Sequence, residues 1–236
     1  MSKPHVAIIA TSNGQMGDAG DKTGFHYEEL STPYFAFRNA GYNVTFASPE
    51  GGEPPADPNS LADKPEDQPE SVRRFLSDED ALAELQNSSE LGVLEPEGFD
   101  AVYLPGGHGT MWDFPENSVL AKFIATVYEN GGVVGAVCHG PAGLVGVKLS
   151  DGEPLVKNRP VNSFTDEEER EVGKDNDVPF LLETKLRELG ARFEKGQPFQ
   201  RYVVRDGRLV TGQNPASAQG VADGMIAAIH TIKKAA

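Results

Sequence analysis

The chain has 236 residues, a formal net charge of −15 at neutral pH and 38% hydrophobic residues. That is enough apolar material for a sizeable core, and too much negative charge to suit a phosphate backbone or an anionic membrane, so nucleic acid and membrane partners are excluded. No apolar run approaches the ~20 residues of a membrane span, and a single cysteine rules out a disulfide framework or a cysteine-rich zinc site.

Met1-Ser2-Lys3-Pro4 leads straight into Val6–Ala10 without the apolar region of a signal peptide, so a reducing, cytoplasmic setting is expected. Val6–Ala10 is a near-continuous apolar run that suits a parallel strand buried on both faces. A polar, glycine-rich loop (Asn13–Thr23) follows, then a helical pattern from Phe25 to Ala40, interrupted at Pro33 and stopped by Gly41. Tyr42–Ala47 reads as the second strand. This β-loop-α-β order predicts an open α/β sheet.

Glu50–Ser71 is acidic and carries five prolines, which suits a surface loop lying against the core, an insertion at about 50–75. Ser77–Gln86 reads as a helix with Ser77 as its N-cap. Phe99–Leu104 and Val133–Val137 are strands, separated by an amphipathic helix over Ser118–Asn130. Beyond them come a turn-rich region (Leu149–Lys157), a short strand (Val161–Phe164), a helix capped by Thr165, and a helix over Pro179–Leu189. Arg201–Val204 and Arg208–Thr211 form a β-hairpin around an Asp-Gly turn, and Asn214–Lys234 is a final helix with Pro215 at its first position. No repeat or linker is visible, so one domain over 1–236 is expected: a doubly wound, flavodoxin-like α/β/α sandwich with a mainly parallel sheet and a small hairpin.

The chemistry concentrates in Ala136-Val137-Cys138-His139-Gly140-Pro141. Cys138 falls at the carboxyl end of a strand, where open α/β sheets place their ligands. The turn resembles a nucleophile elbow, with Ala136 in place of its first glycine. A helix opening at Gly140-Pro141 would favour the thiolate over the ~8.5 pKa of a free thiol. The competing reading of a lone cysteine is a small buried hydrophobe.

Gly106-Gly107-His108-Gly109 ends another strand and lacks the Lys-Ser/Thr of a phosphate loop. It is either a plain tight turn or a device that brings Gly107 N–H and His139 N–H together as an oxyanion hole. Of the histidines, His139 is the candidate general base; His26 either lines the cleft or faces water; His5 and His230 read as structural or solvated. No His-x-x-x-His spacing suggests a metal. Glu28 and Glu29 lie on the first helix, where one of them could face the cysteine; alone, the pair reads as an exposed helical face.

Together with Asn162-Ser163-Phe164-Thr165-Asp166-Glu167-Glu168 and Thr211-Gly212-Gln213-Asn214-Pro215-Ala216-Ser217, these segments resemble the ThiJ/PfpI superfamily, with its class I glutamine-amidotransferase-like sandwich. Within it the chain is most similar to the heat-shock chaperone-like branch of glutathione-independent glyoxalases (glyoxalase III). That resemblance implies Cys138 as nucleophile, His139 as its partner, Glu29 against the sulfur, and Gly106, Gly107 and His108 around the substrate oxygen. Counting from Thr23-Gly24 and back from Pro33 selects Glu29 over Glu28. Branch members with a metal site carry extra histidines in an added domain that has no counterpart here, so neither metal nor other cofactor is expected.

The implied substrate is a small 2-oxoaldehyde, methylglyoxal or glyoxal, converted to lactate or glycolate by a homodimer of the D-lactate dehydratase type. Rival readings are a cysteine peptidase or amidase, a deglycase, a holding chaperone for unfolded clients, or an oxidant sensor. Against the amidotransferase triad, His230 is followed by Thr231 and Ile232 rather than by a glutamate two residues on.

Overall fold

The computed structural model describes residues 3–235. In chain order the strands and helices are β1 (His5–Ile9), α1 (Tyr27–Asn39), β2 (Asn43–Ser48), α2 (Glu70–Leu76), α3 (Glu79–Gln86), β3 (Ser89–Glu90), β4 (Ala101–Leu104), α4 (Thr110–Asp113), α5 (Ser118–Glu129) and β5 (Val133–Val137). After these come β6 (Pro160–Val161), α6 (Asp166–Glu171), α7 (Leu182–Glu188), β7 (Arg192–Phe193), the hairpin β8 (Val203–Asp206) and β9 (Leu209–Gly212), and α8 (Ala218–Ala235). Among the described residues no helix is long and apolar enough to cross a membrane.

The main sheet runs β3-β2-β1-β4-β5-β9-β8 and is parallel except for the β8/β9 hairpin. β1, β4 and β5 are apolar because they are covered on both sides: Val6–Ile9, Ala101–Leu104 and Val133–Val137 are wholly buried. One face carries α1 and α8, through Leu30, Phe37, Val221 and Met225. The other carries α5, through Leu120, Phe123, Ile124 and Val127. This is the mostly parallel α/β sandwich expected.

Several local expectations are corrected. Ser77 closes α2 instead of capping the next helix; Asp78 is the cap, accepting from Ala81 N–H at 3.0 Å. The proline-rich segment therefore ends in a helix, α2. Val161–Phe164 contributes only β6, which pairs with β7 in a separate two-stranded parallel sheet that periodicity did not indicate. The hairpin's two-residue tip is Gly207-Arg208, with Asp206 and Leu209 paired across it. Pro215 opens a 3₁₀ turn, and α8 starts at Ala218.

Pro33 does not interrupt α1, which is continuous from Tyr27 to Asn39. Proline has no N–H for the carbonyl four residues earlier, here that of Glu29. The Tyr103 hydroxyl, from β4, donates to that carbonyl instead at 2.7 Å. A side chain of the central sheet thus fixes the first turns of α1, and with them Glu29.

Tyr103→Phe is expected to leave the Glu29 carbonyl unpaired and lower stability by about 1–3 kcal/mol. In Tyr103→Phe/Pro33→Ala the restored Ala N–H takes up that carbonyl, so the double variant should recover part of the loss. Urea midpoints of the four proteins in the cycle check this.

Candidate active site

Three parallel strands converge at one edge of the sheet. β5 delivers Cys138, β4 delivers the 105–109 turn, and the loop after β1 leads through a bridge to Phe25 and His26. Cys138 has φ +58°, an uncommon value for a residue with a side chain. Its N–H donates to the Gly212 carbonyl at 2.9 Å and its carbonyl accepts from Phe164 N–H at 2.8 Å, so both sides of the bend are held. The next strand leaves no room beside the bend: a Cβ on Gly140 would lie 2.2 Å from the Leu104 carbonyl oxygen. The elbow read from the sequence is present.

The helix expected beyond it is not. Gly140–Leu144 is a five-residue 3₁₀ turn, too short for a useful dipole. Cys138 is 4% exposed, and burial, with the negative charge of Glu29, pushes its thiol well above the ordinary range. Ionisation of the sulfur must therefore come from its neighbours.

Those neighbours are Glu29 and His139. Glu29 is fully buried against the thiol, and burial raises its carboxyl to about 8. Its Oε2 accepts from Gly106 N–H at 2.7 Å, whereas Oε1 has no hydrogen-bond partner of ordinary geometry. Burial raises the thiol and the carboxyl together, and the two titrate as one coupled pair. His139 Nδ1 stands 3.4 Å from the sulfur. Glu28 is half-buried and not part of this group; of the two glutamates it is Glu29 that lies against the sulfur.

Glu169 is the residue that sequence reasoning missed. Its Oε2 is 2.7 Å from His139 Nε2, and its Oε1 is 2.7 Å from His108 Nε2. Burial opposes its ionisation, but the two imidazoles overcome this and hold the carboxyl well below the usual range. Burial and His108 in turn keep His139 below an ordinary histidine, so the ring is neutral at pH 7. With Nε2–H donated to a carboxylate, the lone pair of the neutral ring is on Nδ1, facing the sulfur. Cys138, His139 and Glu169 thus line up as sulfur, imidazole and carboxylate. The missing His-x-Glu near His230 proves irrelevant: His230 is exposed and packs edge-on against Tyr42.

Glu168, the neighbour of Glu169, is buried too. It completes a capping box with Thr165 and accepts from Phe199 N–H, Gln213 Nε2 and Asn214 Nδ2 at 2.7–3.0 Å. This anchors α6, and so Glu169, to the loops that wall the site.

The glycine turn divides its labour. Gly106 N–H is spent on Glu29, so Gly106 is not an oxyanion donor as expected; a Cβ there would meet Glu29 Oε2, His139 N and the Val137 carbonyl, all at 2.7 Å. Gly107 N–H and His139 N–H donate to no acceptor among the described residues. His108 is bound to Glu169.

A cavity of about 410 Å³ opens over the sulfur. Its lining combines apolar Phe164, Phe199, Val172 and Met16 with polar His26, Asp57, Asn59, Ser60 and Lys174. His26 is thus in the cleft, neutral through burial, with its pKa lowered to about 4. Asp57, Asn59 and Ser60 come from the acidic insertion, whose Asp57 accepts from Thr23 Oγ1 at 2.9 Å.

With this geometry in view, the comparisons are informative. The sequence model of the DJ-1/PfpI family matches residues 22–227. "Glyoxalase 3" of Candida albicans is 35% identical over 95% of this chain and 98% of its own length. The glutathione-independent glyoxalase HSP31 of Saccharomyces cerevisiae is 33% identical over 94% and 96%. Among solved structures, glyoxalase III of Candida albicans superposes with a TM-score of 0.87 at 33% identity, covering 95% of this chain and 97% of that one. The Rapid Encystment Protein 24 kDa of Francisella tularensis superposes with a TM-score of 0.91 at 36% identity, covering 96% and 99%.

Glu29 titrates near 4.5 in an unfolded chain and near 8 in the folded one. Between those values folding takes up a proton, so its contribution to stability is full below pH 4.5 and is lost as the pH rises through 8. Glu29→Gln removes this dependence. The difference in Tm between the variant and the natural protein should therefore grow in the variant's favour from pH 5 to pH 8, as read by calorimetry.

Proposed function

This chain belongs to the DJ-1/PfpI family, and on that footing we propose that it is a glutathione-independent glyoxalase, hydrating a 2-oxoaldehyde such as methylglyoxal to lactate. The observation that carries the reading is the Cys138–His139–Glu169 alignment with Glu29 also against the sulfur. Relatives of about one-third identity over nearly their full length are named for this reaction.

The reactive form of the pair is the thiolate beside protonated Glu29. The sulfur adds to the aldehyde carbon C1, and the oxygen that gains charge lies against Gly107 N–H and His139 N–H. His139 Nδ1 takes the hydrogen from C1 and returns it to C2, while Glu169 steadies the imidazolium that exists in between. The proton carried by Glu29 ends on the C2 oxygen. C1 rises to the thioester level as C2 falls to the alcohol, so the redox change is internal to the substrate. Water then cleaves the thioester, regenerates the thiolate, returns one proton to Glu29, and releases lactate with one further proton. The product on this route is lactate, for which we propose the D configuration, and no glutathione takes part.

Purified protein given methylglyoxal without added thiol should form D-lactate, followed enzymatically. Cys138→Ala should abolish it, and Glu169→Gln should lower kcat about 10²–10⁴-fold, the usual contribution of a positioned base and its support. Lactate formed equally by Cys138→Ala would overturn the assignment. A holding-chaperone activity, by contrast, would survive that change.

A further inference from the structure

Two imidazoles that aim their Nε2 atoms at one carboxylate are more than a catalytic histidine needs. We propose that His108, His139 and Glu169 form a site for a divalent transition-metal ion of the zinc class, and that filling it silences the cysteine. The ion-binding half of this proposal stands on geometry alone; the silencing half rests on the glyoxalase reading.

The donor set is two imidazole nitrogens and one carboxylate oxygen, which suits zinc and its neighbours and not the oxygen-seeking magnesium or calcium ions. The three ligand atoms lie within 4.8 Å of one another, and each Nε2 is already 2.7 Å from a Glu169 oxygen. Bonds of about 2.0–2.1 Å in a tetrahedron put neighbouring ligand atoms roughly 3.3 Å apart. To admit the ion the two rings close together, and each separation between Nε2 and its carboxylate oxygen opens from 2.7 Å to roughly 3.3 Å. His139 is fixed, its side chain 1% exposed, but His108 is 18% exposed and sits on the turn that carries Gly106, Gly107 and Gly109. The cavity beside it supplies the fourth position, to be filled by water. Cys138 lies on the Nδ1 side of His139, away from the ion, and is not a ligand.

The consequence for the sulfur is one of tautomers. An ion on Nε2 of His139 replaces the proton there, and the neutral ring keeps its single N–H on Nδ1, facing Cys138. The proton has moved from one nitrogen to the other, with none lost. A ring in that state donates to the sulfur and has no lone pair with which to take a hydrogen from C1. The same carboxylate that readies the base for the reaction would hold the ion that disarms it.

The test is a titration of the metal-free protein with Co²⁺, read by visible absorption, with Zn²⁺ as displacing ion. One Co²⁺ per chain should give d–d bands without a sulfur-to-cobalt charge-transfer band, and Cys138→Ala should leave the spectrum unchanged. His108→Ala and Glu169→Gln should each weaken binding at least about tenfold. In the natural protein Zn²⁺ should shift the ring resonances of two of the five histidines, a readout that needs no variant. D-lactate formation should stop when the site fills and return with a chelator.

No saturable Co²⁺ spectrum, a charge-transfer band lost in Cys138→Ala, or undiminished binding by Glu169→Gln would overturn the site. Lactate production that continues with the site filled would overturn the silencing. Stoichiometric Co²⁺ binding by a protein that makes no lactate even when metal-free would uphold the site and remove the glyoxalase reading instead.

Discussion

The site depends on a bend that the chain would not adopt unaided. A positive φ at a residue with a side chain costs on the order of 1–3 kcal/mol, and Cys138 holds it because the surroundings leave no alternative. β9 takes its N–H, the segment after β6 takes its carbonyl, and β4 presses against Gly140. Each restraint comes from a different part of the chain, so the local sequence marks where the bend falls but tertiary contacts hold it. The result is a sulfur thrust out of the sheet edge with an imidazole beside it. The same crowding demands glycine at 106 and 140, where backbone passes within reach of backbone.

Around that sulfur the fold buries three carboxyl groups and handles each differently. Glu29 is left short of donors and retains its proton, which keeps a negative charge away from the sulfur it accompanies. Glu169 is given two imidazoles and loses its proton. Glu168 receives a ring of donors from Thr165, Phe199, Gln213 and Asn214 and serves architecture. Burying a carboxyl is unfavourable unless its charge is neutralised or fully hydrogen-bonded, and these are the available remedies. A neutral carboxyl, a charged carboxylate and a structural tether arise from one residue type by environment alone.

The parts of this arrangement that the amino-acid sequence disclosed are those encoded locally. The apolar runs of β1, β4 and β5, the Cys138 elbow and the Asp-Gly hairpin each announce themselves within a few residues. Glu29 is also legible from helical phase, since Glu29, Pro33 and Phe37 recur at i, i+4 and i+8 on the buried face of α1. Glu169 is not. It ends an acidic run, Asp166 to Glu169, that looks like a solvated first turn favoured by the helix dipole. Only its distance of 30 residues from His139, closed by tertiary packing, turns it inward. The one local hint was the capping box at Thr165 and Glu168, which fixes the phase of α6 and so which acids face in. The thiol's environment was misjudged for the same reason: a helix was inferred from Gly140-Pro141, and burial, which a short window does not reveal, dominates instead.

The division between chemistry and recognition follows the same line. The reacting groups belong to strand ends and to α1 and α6, elements locked by the sheet and by buried hydrogen bonds. The walls of the cavity belong to loops: Asp57, Asn59 and Ser60 on the proline-rich insertion, Val172 beyond α6, and Phe199 at a second positive φ. Loops can change length and composition without disturbing a sheet, whereas moving an elbow would undo three strands at once. The insertion reaches the site through Asp57, which is tied to Thr23 and lies next to His26, so its polar side chains share the cavity lining with Phe164 and Phe199.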